Sequence, residues 1–193
     1  MHKKSILALA LIMAPLFAQA TATQGQLTFT WQGTIPAVDV VSTSWSFTDA
    51  AGNDYTPIPI VLQATIADDN TLDLVTQAPA TFEIRSATSA NNLSSISAYL
   101  ASPPVSTGLI KQLTLKETLA APNAGEVVVV LNNNALKIGS SNAVAIQNNI
   151  NNAAAAMSLA LYAKVAQDGY TPGSSVSFST PIIFSVDVTA RNG

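Results

Sequence analysis

The chain contains no cysteine, and its one histidine, His2, lies directly after the N-terminal methionine. The absence of cysteine excludes disulfides, a thiolate nucleophile and the sulfur ligands of structural zinc sites. Beyond His2 the chain has no imidazole, so it offers neither a histidine general base nor a Ser-His-Asp triad. These absences argue against an exported hydrolase, and we expect no catalytic residue, no metal site and no cofactor.

Charged residues are also scarce, at 10% of the chain. Eight lysines and arginines stand against eleven acidic residues, and two of the eight, Lys3 and Lys4, belong to the leader described next. The rest of the chain therefore carries six basic and eleven acidic groups, a net charge of about −5. Because polyanions repel a protein of this charge, we do not expect nucleic acid or anionic membrane surfaces as partners.

The first 20 residues show the three parts of a secretory signal peptide. Lys3 and Lys4 precede the apolar residues 6–17, and Ala18-Gln19-Ala20 follows as a small-residue cleavage motif. The apolar run is too short to span a bilayer, which argues against an uncleaved anchor. We therefore predict a signal peptide at 1–20 and export of the rest. About 170 residues remain, which suffice for one domain with a real core.

The segment after this leader, residues 21–36, predicts an amphipathic strand. Apolar and polar residues alternate between residues 23 and 36, as they do on the two faces of an extended chain. Burying the four large apolar side chains would contribute about 6 to 12 kcal/mol before ordering costs, which is as much as the net stability of a whole domain. The apolar set, called the N-terminal ridge below, is Gly25, Leu27, Phe29, Trp31, Gly33 and Ile35.

The remaining residues, 37–193, predict an all-β domain. Period-two alternation and turn-forming residues indicate about eight or nine strands, with almost no helical periodicity. Residues 86–95 and 148–152 are predicted loops, and residues 96–100 predict either a strand or a short helical turn. The pattern favours an antiparallel β-sandwich of immunoglobulin-like type. The predicted strands lie near residues 41–47, 58–66, 72–74, 82–84, 113–115, 126–131, 135–138, 158–165 and 176–188.

The last predicted strand, residues 176–188, leaves one edge of the sandwich open, because no further strand follows it. The charges that usually protect such an edge are nearly absent. We expect the N-terminal ridge of one copy to fill this edge in the next copy, a head-to-tail contact that propagates as a fibre. The inward-facing set of the last strand is Val176, Phe178, Ile182, Phe184, Val186 and Val188.

Short motifs through nearly the whole chain resemble the major subunits of chaperone-usher fimbriae, and within them the colonisation-factor fimbriae of the coli surface antigen five type. Together these motifs are specific, although each alone is weak. They are Gly25-Gln26-Leu27-Thr28-Phe29, Trp31-Gln32-Gly33, Ser44-Trp45, Pro104-Val105-Ser106, Lys111-Gln112-Leu113-Thr114-Leu115, Gly125-Glu126-Val127, Ala135-Leu136-Lys137 and Phe184-Ser185-Val186-Asp187.

The resemblance implies an incomplete immunoglobulin-like fold that lacks its last strand. A periplasmic chaperone would complete the fold first, and the N-terminal extension of the next subunit would replace it. The further implied partners are an outer-membrane usher, a minor tip subunit and other copies of the chain, in a surface fimbria that serves attachment to host cells. Carried onto this sequence, Leu27, Phe29 and Trp31 would be donor side chains, and Gly25 would lie where the acceptor pocket is shallow. Residues 176–188 would border the groove and contact the chaperone.

Two other functions stay open from the residues alone. A secreted monomeric carbohydrate-binding sandwich could stack sugars on Trp45, Tyr55, Tyr99, Tyr162 or Tyr170. A minor or tip adhesin subunit is the other alternative. Asp68, Asp69 and Asp73 could be read as calcium ligands, but the EF-hand spacing is missing, so a hairpin turn is the better interpretation.

Overall fold

The structure is a computed structural model, and it describes residues 44–190, without the side chains of residues 149–151. The predicted signal peptide, the N-terminal ridge and the first residues of the predicted strand at 41–47 lie outside the described residues. Thirteen strands and two short 3-10 helices make up the described part, which holds no α-helix. Accordingly, none of its helices is long and apolar enough to cross a membrane.

The strands range in length from two residues to twelve. The first seven are β1 (Trp45–Thr48), β2 (Leu62–Ile66), β3 (Leu72–Thr76), β4 (Ala80–Ser86), β5 (Asn91–Leu100), β6 (Val105–Thr107) and β7 (Thr114–Leu115). The others are β8 (Glu126–Leu131), β9 (Asn134–Ala135), β10 (Val144–Asn152), β11 (Ala154–Val165), β12 (Ser177–Ser179) and β13 (Ile182–Ala190).

The strands form two facing layers, an immunoglobulin-like antiparallel β-sandwich as predicted. The large sheet has eight strands in the order β1-β4-β11-β3-β2, with β8 on β11 and with β7 and β9 on β8. The second layer contains β10-β5-β13 and the short pair β12-β6. Among the strand pairs of residues 44–190, β7–β8, two residues long, is the parallel one, and an isolated parallel bridge joins Leu100 to Ile138. Ile84, Leu100, Leu131 and Met157 come from both layers and are fully buried in the main core cluster between them.

Prolines interrupt the long strand pairs. Residues 77–79, with Pro79, separate β3 from β4, although both pair with β11. In the second layer Pro103 and Pro104 separate β5 from β6, and Pro181 separates β12 from β13. The predicted single strand over 176–188 is therefore wrong in this respect, because Pro181 has no N–H to donate to the ladder. The chain stays paired across the gap, since the Ala101 N–H donates to the Pro181 carbonyl at 3.0 Å.

Of the two predicted loops, 86–95 is correct only at residues 87–90 and 148–152 is wrong. Residues 91–95 belong to β5, and residues 148–152 belong to β10. The polar composition suggested loops, but β5 is the central strand of its sheet, so its backbone groups find partners on both β10 and β13. The pairing of β10 with β5 changes register twice, as expected for a strand so rich in asparagine.

The predicted turns are confirmed. Residues 68–70 join β2 to β3, where the Asp69 carboxylate accepts the Thr71 N–H at 3.0 Å, so Asp69 supports a turn. Asn132 and Asn133 have φ angles of 44° and 65°, the left-handed pair that a two-residue hairpin turn needs. The strand after them is only two residues long.

The run Glu126–Leu131 is buried on both faces, as its continuous apolar composition predicts. Val127, Val129 and Leu131 face the sandwich core, whereas Val128 and Val130 pack with Ala135 on the other face. Residues 119–122 lie along that outer face. An ion pair from Lys116 to Glu126 at 2.9 Å ties this segment, called the outer strap (residues 116–124), to the sheet.

Candidate functional site

The open edge predicted beside the last strand lies along β13. β13 pairs with β5 in a register from Ile182 opposite Leu100 to Ala190 opposite Asn91. Among the described residues no strand pairs with its other edge. Such an edge presents a row of N–H and C=O groups to which an extended segment can add as a further strand.

The inner face of β13 is only half-covered. Four residues, Ile182, Phe184, Val186 and Val188, are half-buried and alternate with exposed neighbours. The facing positions on β5 are different, because Leu93, Ile96, Ala98 and Leu100 have no exposed area. The core is therefore complete beneath β5 and incomplete beneath β13, where a further apolar strand would cover the remaining area.

The opposite border of this region is β1, at the edge of the large sheet. Phe47 of β1 contacts Phe184 of β13 edge-to-face, with ring centroids 5.2 Å apart. Phe82 packs against both rings at 5.8 Å, and Trp45 packs against Phe47 at 5.1 Å. We call this region the β1–β13 seam, defined by the edges of β1 and β13 and by these four aromatic rings.

Trp45 and Phe47 are seam residues that the sequence analysis did not assign. The sequence predicted a strand there, but period-two alternation reports which face a residue occupies and not which strand lies opposite. Residues 47 and 184 are far apart in the chain, so only the packed sandwich reveals their contact. The sequence did offer one signal for this contact: Phe47 and Phe184 are aromatic residues in the first and last strands of the predicted sandwich.

Val176 and Phe178 lie apart from the other four predicted groove residues. They are half-buried around β12, and they pack on a second core cluster that contains Leu74, Leu113 and Val165. Ile182, Phe184, Val186 and Val188 instead pack on the main cluster. The six residues thus keep one inward face, but the break at Pro181 divides them between two clusters.

The chemistry of the β1–β13 seam is apolar. Its inward side chains are aromatic or aliphatic, and Asp187 of β13 points outward, where it accepts a hydrogen bond from Ser95. In the described part of the chain, no three His, Cys, Asp or Glu side chains lie close enough to hold a metal ion. The seam can bind an apolar extended segment, and nothing on it resembles a proton donor or nucleophile.

The clearest pKa shifts lie away from the seam. A hydrogen bond from Lys116 lowers the pKa of Glu126, with a further contribution from the Asn123 N–H. The ion pair with Lys111 lowers the pKa of Asp168, and a hydrogen bond from Thr71 lowers the pKa of Asp69. These carboxylates stay ionised and support turns and surface pairs, which is a structural role.

The described chain begins and ends at the same end of the sandwich. The Ser44 carbonyl, just before β1, accepts the Ala87 N–H at 2.9 Å, and Ala190 of β13 lies opposite Asn91. Residues 87–90 form the turn that links these two positions, between β4 and β5. Residue 44, the first described residue, therefore lies at one end of the β1–β13 seam.

Comparison with known proteins identifies a relative along nearly the whole chain. The chain is 32% identical over 199 aligned residues to the CS5 fimbrial subunit of Escherichia coli, and the alignment covers 95% of this chain and 96% of that protein. No protein-family model matches the sequence.

Proposed function

This chain belongs to the family of the CS5 fimbrial subunit, and from that premise we propose that it is the major structural subunit of a surface fimbria that assembles by strand donation. As a fimbrial subunit it is a structural protein of an extracellular fibre and assembles with other subunits. The finer proposal concerns how it assembles: the N-terminal ridge of one copy occupies the β1–β13 seam of another.

The observation that carries this proposal is the half-covered inner face of β13 beside a free strand edge. A donated strand supplies main-chain hydrogen bonds along β13 and apolar side chains over the aromatic rings. Gly25, Leu27, Phe29, Trp31 and Ile35 are the proposed donor residues, because they share one face of an extended segment. Burying the four large ones contributes about 6 to 12 kcal/mol before ordering costs.

The proposed order of assembly follows from the need to cover the apolar seam. A subunit with an open seam exposes apolar surface, so a periplasmic chaperone is proposed to cover β12 and β13 until the next subunit arrives. Export through the periplasm requires the signal peptide at 1–20. The outer-membrane usher and a minor tip subunit complete the proposed set of partners, and the fibre serves attachment to host cells.

Phe29→Arg tests the donor face directly. The substitution places an unpaired guanidinium in an apolar seam, which costs several kcal/mol, so fibre growth should stop. Surface fibres are sheared from cells and heated in detergent, and the wild type should give ladders of oligomers that persist until boiling. Phe29→Arg should give none.

Thr30→Arg is the matched control, because it adds the same charge to the opposite face of the same strand. This variant should still form ladders. Normal ladders from Phe29→Arg would show that the donor face or its register is wrong. Loss of ladders from both variants would show that the segment tolerates no charge at all, which would contradict alternate-face insertion.

A further inference from the structure

A second site lies on the outer face of the large sheet, away from the β1–β13 seam. Val75 of β3 and Val128 of β8 flank Tyr162 of β11 in one cross-strand row. The next row places Lys164 between Asp73 and Glu126. These side chains face outward because the alternate positions, such as Leu74 and Ala163, belong to the core.

The outer strap stands beside these rows and turns the sheet face into a cleft. The cleft has a volume of about 530 Å³, within the usual range of small-ligand sites. Val75, Tyr162 and Leu119 of the strap line it, and they are 39%, 37% and 53% exposed. Three large apolar side chains are therefore solvent-exposed next to one another, which is characteristic of a binding surface.

Three polar groups at the cleft have no partner in the described protein. The Asp73 carboxylate, the Asn133 amide and the Tyr162 hydroxyl line the cleft and make no hydrogen bond or ion pair with a described residue. Other tyrosine and aspartate side chains are hydrogen-bonded: the Tyr170 hydroxyl donates to the Asn70 carbonyl, and the Asp69 carboxylate accepts from the Thr71 hydroxyl. The cleft thus combines an apolar floor with free donors and acceptors.

This combination matches the chemistry of a sugar ring. A pyranose has a C–H face that packs on an aromatic ring, and hydroxyls that donate to a carboxylate and accept from an amide. The ammonium of Lys164 is already 3.6 Å from Asp69, so Asp73 leaves the cleft with an excess of negative charge. We propose that this outer cleft binds a neutral saccharide, one on each subunit.

Three of the aromatic residues that could stack on a sugar have other roles. Trp45 packs on Phe47, and Tyr55 stacks on Phe82 with ring centroids 5.1 Å apart. The hydroxyl of Tyr170 is held by Asn70. Tyr162 lines the outer cleft, and its hydroxyl makes no hydrogen bond with a described residue. Because the cleft is on the far face of the large sheet, a strand added at the seam leaves the cleft uncovered. The saccharide site itself does not depend on the proposed function; its repetition along a fibre does.

Saturation-transfer NMR on purified fibres, or on the purified full chain if no fibres form, tests the proposal. The probes are galactose, glucose, N-acetylglucosamine and the anionic N-acetylneuraminic acid. At least one neutral sugar should receive saturation, and Tyr162→Ala should weaken its binding by about tenfold, the value of one aromatic contact. Asp73→Asn should weaken it as well.

Ile183→Ala is the matched control, because Ile183 is 39% exposed on the outer face of the other layer. It should bind the sugar as the wild type does. No transfer from any neutral sugar, transfer from the anionic sugar alone, or unchanged binding by Tyr162→Ala would each overturn the proposal. Altered fibre shape without a change in sugar binding would identify the cleft as a contact between subunits instead. Detergent-resistant ladders report strand donation separately, so failure of one proposal is distinguishable from failure of the other.

Discussion

At the scale of single residues, Phe184 connects the two layers at the place where the fold is least complete. It contacts Phe47 and Phe82, which come from two strands of the large sheet. Rings in edge-to-face contact contribute beyond their buried area, so the cluster orients β13 although its inner face is half-covered. The seam is therefore a shaped surface before any strand is added.

We predict that Phe184→Ala lowers the free energy of unfolding by about 2 kcal/mol, less than for a fully buried phenylalanine because the ring is half-exposed. Denaturant unfolding of the purified chain measures the change. Ser185→Ala, on the outward face of the same strand, should change it by less than about 0.5 kcal/mol. Equal effects of the two substitutions would contradict the assignment of Phe184 to the inner face.

At the scale of elements, backbone hydrogen bonds and the Glu126 carboxylate join the outer strap to β8; the Lys116 N–H donates to the Val127 carbonyl at 2.8 Å. Glu126 accepts hydrogen bonds from Lys116 at 2.9 Å and from the Asn123 N–H at 2.7 Å. Residues 119–122 of the strap lie beside Val128 and Val130, so the ion pair helps to keep the outer face of β8 covered. The strap also forms one wall of the proposed saccharide cleft.

Glu126→Gln should make stability less dependent on pH. The hydrogen bond from Lys116 lowers the folded-state pKa of Glu126, so the carboxylate stabilises the fold above its unfolded pKa of about 4.3. That contribution is lost as the pH falls through the lower folded-state pKa. The difference in melting temperature between the wild type and Glu126→Gln should therefore be present at pH 7 and shrink below about pH 4.

Calorimetry across this pH range measures the effect. Asp68→Asn is the control, since Asp68 is exposed in the β2–β3 turn and is not part of the strap. The difference in melting temperature between the wild type and Asp68→Asn should not shrink in this way at low pH. A Glu126→Gln difference that stays constant from pH 7 to about pH 3 would contradict the role of the ionised carboxylate.

At the scale of the whole molecule, the fold has a complete core under β5 and an incomplete one under β13. The buried cluster under β5 already joins the two layers of the described sandwich. We therefore expect the domain to keep its structure without the N-terminal ridge, at reduced stability. Polymerisation, in contrast, should depend entirely on that segment.

Deletion of residues 21–36 should abolish fibres and leave a monomer that a synthetic peptide of residues 23–36 stabilises. The peptide should raise the melting temperature progressively with its concentration, because it binds the folded state alone. The same peptide with Phe29→Arg should have little effect. Fibres from the deleted chain, or a melting temperature that the wild-type peptide leaves unchanged, would refute strand donation.

Much of the sandwich was predictable from local pattern. The run Glu126–Leu131, the turn at Asn132 and Asn133, and the strand around residues 158–165 were each predicted in place, because burial pattern and turn chemistry act over a few residues. The loop predictions failed at 91–95 and 148–152 for one reason: polar residues were taken to mean exposure. Residues 87–90 do form the predicted loop. Hydrogen bonding to two neighbouring strands holds Asn91–Leu100 in a sheet despite its composition.

The amino-acid sequence alone determined the β class, the alternating inward faces, the absence of histidine and cysteine chemistry, and the family. These properties depend on residue type and on short-range order. The tertiary structure decided which side chains meet: Phe47 with Phe184 at the seam, and Tyr162 with Asp73 and Asn133 at the outer cleft. It also divided the last strand at Pro181. Such contacts depend on which strands are neighbours and on their register. The alternation of apolar and polar residues in the sequence predicts neither of these.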